Sequence, residues 1–190
     1  MRIYIADDDP VSRIMLKAIL EKAGYVVEAG EDGGQALAAL SLPDAPRLAV
    51  LDVMMPVLDG VEVCRRLRAL PEGDRRYLIM LTTSNRPENV EAGLAAGAND
   101  YVGKPFVRRD LLARVRVGEK MIELREALTV RETELAKVTT DHINSLREAL
   151  AHLHALTPDP QFSGFEAALK TFEAAAKALG AVETRVGPTT

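Results

Sequence analysis

Leu48-Ala49-Val50-Leu51-Asp52-Val53-Met54-Met55-Pro56-Val57-Leu58-Asp59-Gly60 is the stretch that decides the fold. An uninterrupted apolar run, residues 48–51, delivers one carboxylate, Asp52, to the end of a strand. Runs of this kind belong to strands covered on both faces. A proline and an Asp-Gly pair follow, and both break regular structure. The same chain carries three acids, Asp7, Asp8 and Asp9, after its first apolar run, and an isolated Lys104-Pro105 far downstream. Together they suggest a carboxylate that is phosphorylated with help from a metal ion and a lysine.

Working outward, residues 1 to about 107 alternate short apolar runs with amphipathic stretches. Strands are expected at residues 2–5, 25–29, 48–51, 77–81 and 100–102. Helices are expected after Asp9-Pro10, at 34–40, 61–70 and 88–96, and after Lys104-Pro105-Phe106. Asp9 suits an N-cap with Pro10 at the first helical position, and Gly24 and Gly97 suit helix stops. Five strand-then-helix units imply an α/β fold, a parallel sheet covered on both faces with right-handed crossovers. Ligands of such sheets gather beyond the carboxyl ends of the strands. Every candidate residue falls there: Asp7 and Asp8 after the first strand, Asp52 after the third, Thr82 and Thr83 after the fourth, Lys104 after the fifth.

Composition narrows the class. The chain has 190 residues with 47% apolar, enough for one α/β domain and a smaller appendage. A net charge of −4 gives no electrostatic footprint for nucleic acid. No signal peptide and no apolar stretch of membrane-spanning length can be read, so a soluble, cytoplasmic chain is expected. The single cysteine, Cys64, excludes an intrachain disulfide and reads as a packing residue of the third helix.

Asp7-Asp8, Asp52 with Met55-Pro56 and Asp59-Gly60, Thr82, Tyr101 and Lys104-Pro105-Phe106 occur in an order and at sheet positions that resemble the receiver domain of a bacterial two-component response regulator. The resemblance covers just over half the chain. It implies a flavodoxin-like strand order, 2-1-3-4-5, and a phosphoryl group accepted on Asp52 from a histidine kinase or a histidine phosphotransfer protein. It further implies a Mg²⁺ (or Mn²⁺) ion held by Asp8 and Asp52 directly, by Asp7 through water and by the Met54 backbone carbonyl. Lys104 would meet the phosphoryl oxygens, Thr82 would offer them a hydroxyl, and Tyr101 would follow Thr82 as a switch. Tyr101 also reads as a half-buried strand aromatic, and Asp59-Gly60 as a turn rather than a ligand. Thr83 and Gly103 depart from the commonest family pattern but remove no reacting group.

Beyond residue 107 the character changes. From Arg109 to Leu156 there is no proline, and only Gly118 interrupts good helix formers. Met121, Leu124, Leu128, Leu135 and Val138 follow one apolar stripe, and Ile143, Leu146, Leu150 and Leu153 another, as in a coiled coil with a stutter. Pro158 and Pro160 break the helix, and Phe165, Leu169, Phe172, Ala176 and Leu179 mark a second one. The expected organisation is a receiver over residues 1–118, an all-α helical hairpin over 119–180 that forms a homodimer and passes the signal to a downstream protein effector, and a frayed tail over 181–190. In this reading the chain catalyses only its own phosphorylation and dephosphorylation. Two alternatives stay open: a regulatory fragment of a receiver-linked enzyme such as a diguanylate cyclase, and a phosphotransferase using His142. A polar residue in the helical seam is the plainer reading of His142; His152 and His154 read as surface residues.

Overall fold

The computed structural model describes residues 1–83, 91, 93–156, 170, 171 and 174. Its elements run β1 (Arg2–Ala6), α1 (Pro10–Lys22), β2 (Val26–Gly30), α2 (Gly33–Leu40), β3 (Leu48–Asp52), α3 (Gly60–Arg68), β4 (Tyr77–Thr82), β5 (Asp100–Gly103) and a long helix, α4 (Arg108–Leu156). The five strands form one parallel sheet in the order β2-β1-β3-β4-β5. Strand and helix ends fall within two residues of the sequence expectations wherever both can be compared. The helix expected at 88–96 lies partly outside the described residues; Glu91 and residues 93–95 are helical. The second helix of the hairpin and the tail fall almost wholly outside them.

Strand periodicity builds two cores. Successive side chains of a strand point to opposite faces. Ile3, Ile5, Val50, Ile79 and Leu81 therefore join Leu16 and Leu20 of α1 and Leu111, Val115 and Ile122 of α4 on one side. Tyr4, Ala6, Leu51, Leu78 and Met80 join Leu40 of α2 and Val63, Cys64 and Leu67 of α3 on the other. β3 and β4 are buried along their whole length, as their apolar runs require. Cys64 is fully buried within the second core, its thiol 3.2 Å from the Ala96 carbonyl oxygen, as the packing reading expects.

The chain divides into two compact units, Met1–Arg125 and Glu126–Thr190. The first includes the opening turns of α4. Gly118 lies there against Tyr77 and Leu48, so closely that a Cβ at this position would press into both. Arg114 forms an ion pair with Asp100 at 2.9 Å, and the Tyr25 hydroxyl donates to Glu119 at 2.9 Å. Within the second unit, Leu128, Leu135, Val138 and Leu146 of α4 are exposed, while Ile143 is buried. No helix among the described residues is long and apolar enough to cross a membrane.

Candidate functional site

Sheet register sets the site. Ala6 pairs with Leu51, Asp52 with Leu81, and Thr82 with Gly103. The residues next in sequence, Asp7 and Lys104, therefore emerge beside Asp52 at the same carboxyl edge. Asp9 then caps α1, its carboxylate accepting from the Val11 and Ser12 amides at 3.1 and 3.2 Å. This cap turns the chain sharply after β1 and keeps Asp7 and Asp8 at the sheet edge rather than letting them run on as a strand. The Lys104 amide donates to the Thr82 carbonyl at 2.7 Å, and the peptide bond between Lys104 and Pro105 is cis.

Asp7, Asp8 and Asp52 each place a carboxylate oxygen within 4.8 Å of the others. Asp7 is fully buried, Asp52 is 4% exposed, and Asp8 faces solvent. The Lys104 ammonium bridges the two buried acids: it lies 2.7 Å from Asp7 Oδ2 and forms a short ion pair with Asp52 Oδ2. Burial pushes the Asp52 carboxyl above its usual range and prevails over the Lys104 bond, the Lys104 charge and the Met54 amide, which act the other way. For Lys104, burial works against the charge, but its bonds to Asp52 and Asp7 and their charges outweigh it, so the ammonium is held above the usual lysine range.

Three carboxylates against one ammonium leave two uncompensated negative charges in a partly desolvated pocket. Such an excess is costly unless a cation joins it. Hard carboxylate oxygens and that charge suit a small divalent ion. The residues present thus fit a metal, and the two buried acids and the exposed one offer it different kinds of access.

The loop after Asp52 is shaped by close contacts. The Met54 amide donates to Asp52 Oδ1 at 3.2 Å, and the Gly60 amide to the Val53 carbonyl at 2.9 Å. A Cβ on Gly60 would overlap the Asp52 backbone carbonyl, so the glycine is required for α3 to start this close to the strand. Asp59 is the N-cap of that helix, its carboxylate accepting from the Glu62 amide at 2.7 Å. Between them Val57 adopts φ +70°, a left-handed conformation that a β-branched residue rarely takes. Tyr101 is half-buried in β5. Its hydroxyl is inside and, among the described residues, has no hydrogen-bond partner; it nests over Gly93, where a Cβ would collide with it.

The structure thus brings Asp7, Asp8, Asp52 and Lys104 into one pocket, with the Met54 backbone beside it. Thr82 is buried at the end of β4, next in sequence to the partner of Asp52. His142 lies on α4 in the other unit, exposed, with its Nδ1 2.8 Å from the Val138 carbonyl. Sequence reasoning missed Ser12, whose hydroxyl donates to Asp7 Oδ2 at 2.5 Å, and Arg13, whose guanidinium donates to the Asp7 carbonyl at 2.6 Å. The signal was present. A residue three places beyond an N-cap leans back over the start of its helix, and here that start adjoins Asp7.

The chain belongs to the response regulator receiver domain family, which matches residues 3–116. It is 38% identical over 174 residues to the response regulator MprA of Mycobacterium ulcerans (strain Agy99), an alignment covering 85% of this chain and 74% of that one. It is 47% identical over 116 residues to MprA of Mycobacterium avium (strain 104), covering 61% of this chain and spanning only half of that relative. Among solved structures, the receiver domain of the sensor histidine kinase PA1611 from Pseudomonas aeruginosa PAO1, with a magnesium ion coordinated in its active site cleft, superposes with a TM-score of 0.57. It is 34% identical and covers 64% of this chain and 97% of that one.

Proposed function

We propose that the chain is a phosphorylation-controlled signalling switch that accepts a phosphoryl group on Asp52 from the phosphohistidine of a histidine kinase or phosphotransfer protein. The observation that carries this reading is the Lys104 ammonium, bonded at once to the carboxylates of Asp7 and Asp52, with Asp8 alongside. Asp52 is the nucleophile: one carboxylate oxygen forms the new P–O bond as the donor's P–N bond breaks. The bond to Lys104 and the Met54 amide favour its ionised, reactive form. Lys104 supplies a fixed positive charge for the phosphoryl oxygens without needing to reorganise.

Asp8 and Asp52 would hold a Mg²⁺ ion (or Mn²⁺) directly, Asp7 through water, with the Met54 carbonyl as a further ligand. Bound there, the ion would offset the repulsion between the carboxylates and an anionic phosphoryl group. The phosphodonor must approach over the rim of the pocket. Val11, Ile14 and Met15 of α1, and Met54 and Val57 of the β3–α3 loop, are exposed apolar residues on elements that form this rim, and they suit a protein partner.

The added phosphate brings about two negative charges. Thr82 offers its hydroxyl to them, and Tyr101 and the elements around it repack. Residues 119–180 carry the response as a homodimer acting on a downstream protein effector. The apolar stripe of Met121, Leu124, Leu128, Leu135 and Val138, exposed in the single chain, supports that role. The chain's own catalysis is then confined to forming and losing its acyl phosphate, in the cytoplasm.

Labelling with radioactive acetyl phosphate tests the reading. Wild type takes up base-labile label only when divalent metal is present, so that none is taken up in EDTA, and Asp52→Asn takes up none. Label that persists on Asp52→Asn would overturn the site. Acid-labile, base-stable label that disappears in His142→Ala would establish a phosphotransferase instead.

A further inference from the structure

The Asp7 carboxylate is held by three donors. Oδ1 accepts from the Asp9 amide at 3.1 Å. Oδ2 accepts from Lys104 Nζ at 2.7 Å and from the Ser12 hydroxyl at 2.5 Å. The amide comes with the α1 cap and Lys104 with the phosphoacceptor pocket, so Ser12 is the one side chain in this set that no step has used. It is buried, and it stands at the third position of α1 behind the cap Asp9. A hydroxyl-to-carboxylate bond this short is charge-assisted and among the stronger hydrogen bonds a protein makes.

The geometry points to Ser12 as a positioning residue for the metal pocket, its hydroxyl fixing the plane of the Asp7 carboxylate that helps to hold the divalent ion. This rests on the metal reading of Asp7, Asp8 and Asp52 given above. The physical reason lies in how Lys104 is shared. One ammonium serves both Asp7 and Asp52. Once Asp52 carries phosphoryl oxygens, the ammonium gains new acceptors, and its hold on Asp7 weakens. Of the three donors, the Asp9 amide and the Ser12 hydroxyl alone do not depend on the state of Asp52. Ser12 keeps the carboxylate oriented in both states. Outer partners that orient a metal-binding carboxylate or imidazole are worth about 10–100-fold in metal affinity.

Mn²⁺ binding to the full chain, followed by loss of the free-ion electron paramagnetic resonance signal, tests this without reference to phosphorylation. Ser12→Thr and Ser12→Val have the same shape and differ in the hydroxyl, so any steric cost is common to both. Ser12→Thr is expected to bind close to wild type. Ser12→Val and Ser12→Ala are expected to bind about 10–100-fold more weakly, with each variant's fold checked by its melting curve in EDTA. Equal affinity of Ser12→Thr and Ser12→Val, or of Ser12→Ala and wild type, overturns the role of Ser12. Asp8→Ala separates the metal pocket from the role of Ser12. If wild type binds no better than Asp8→Ala, the metal reading itself fails and Ser12 goes with it. If Asp8→Ala abolishes binding while the loss of the Ser12 hydroxyl changes nothing, the metal pocket stands and only Ser12 is wrong.

Discussion

Among the described residues, most leucines up to Arg125 are covered by the fold, whereas those of α4 beyond it are exposed. In the first unit Leu16, Leu20, Leu51, Leu67 and Leu81 are fully buried between sheet and helices. In the second, Leu128, Val130, Leu135, Val138 and Leu146 of α4 face water in the single chain. Polar groups differ in the same way. In the first unit local pairs are joined by pairs across the fold: Lys104 with Asp7 and Asp52, Arg68 with the Asn99 side chain and the Gly97 carbonyl. In the second, Thr133, Thr139 and Thr140 return their hydroxyls to the carbonyl one turn back in their own helix. Long-range pairing marks a fold that closes on itself. Local pairing beside an exposed apolar stripe marks a helix that uses few of its own described neighbours.

Leucine truncation on the two sides of the divide gives the largest contrast. Leu81→Ala removes a fully buried side chain from the core that β4 shares with α1 and α4, and should cost about 2–5 kcal/mol in denaturant unfolding. Leu128→Ala removes an exposed one and should stay within about 0.5 kcal/mol for the monomer. It should instead lower self-association measured by sedimentation. If Leu128→Ala destabilises the dilute monomer as much as Leu81→Ala, the exposed stripe is covered within the chain and the contrast is broken.

How much of this was legible follows the same divide. The sheet could be read because each strand carries a local signal: an apolar run, then a breaker. The caps were readable too, Asp9 with Pro10 at the start of α1 and Gly24 with φ +94° after it, since capping is chemistry between near neighbours. The pocket could be read because strand ends collect at one edge of a parallel sheet, so Asp7, Asp8, Asp52 and Lys104 needed only their places in the order of elements. What escaped depends on contacts between distant segments. Gly118 looks like a flaw in a run of helix formers, yet it is where α4 meets Tyr77 and Leu48. Gly93 looks like one more small residue, yet it makes room for the Tyr101 hydroxyl. Gly60 looks like half of a turn pair, yet it backs onto the Asp52 carbonyl at the end of β3. Nothing local announces those neighbours.

Val57 is an exposed apolar residue inside the first unit, 79% accessible, and it is strained. A β-branched side chain at φ +70° carries a conformational cost on the order of 1–3 kcal/mol. Asparagine tolerates the left-handed region. Val57→Asn should therefore raise stability by about 1 kcal/mol, visible as a higher denaturant midpoint with an unchanged slope. No such gain is expected from Val130→Asn, since valine is at ease in the right-handed helix and asparagine is no better there. A midpoint for Val57→Asn at or below wild type would mean that the loop holds Val57 by packing that its exposure does not reveal.

The smallest effect is a pH dependence confined to the closed unit. Burial pushes the Cys64 thiol above its usual range, against the pull of Arg68 and Arg65. The unfolded chain therefore loses this proton first as pH rises. Above about pH 8.5, where an exposed thiol ionises, the unfolded state is favoured by its deprotonation. The stability that Cys64 contributes is complete below that pH and is lost progressively as pH climbs toward the folded value. Between pH 7 and pH 10 the unfolding free energy of wild type should thus fall more steeply than that of Cys64→Ala, whatever the cost of the alanine at neutral pH. Native protein should also resist iodoacetamide at pH 8, reacting only as fast as the second core opens, because the thiol is fully buried and kept protonated. Parallel pH profiles for the two proteins, or rapid alkylation of the native chain, would show that the face of the sheet covered by α2 and α3 is far less closed than its packing indicates.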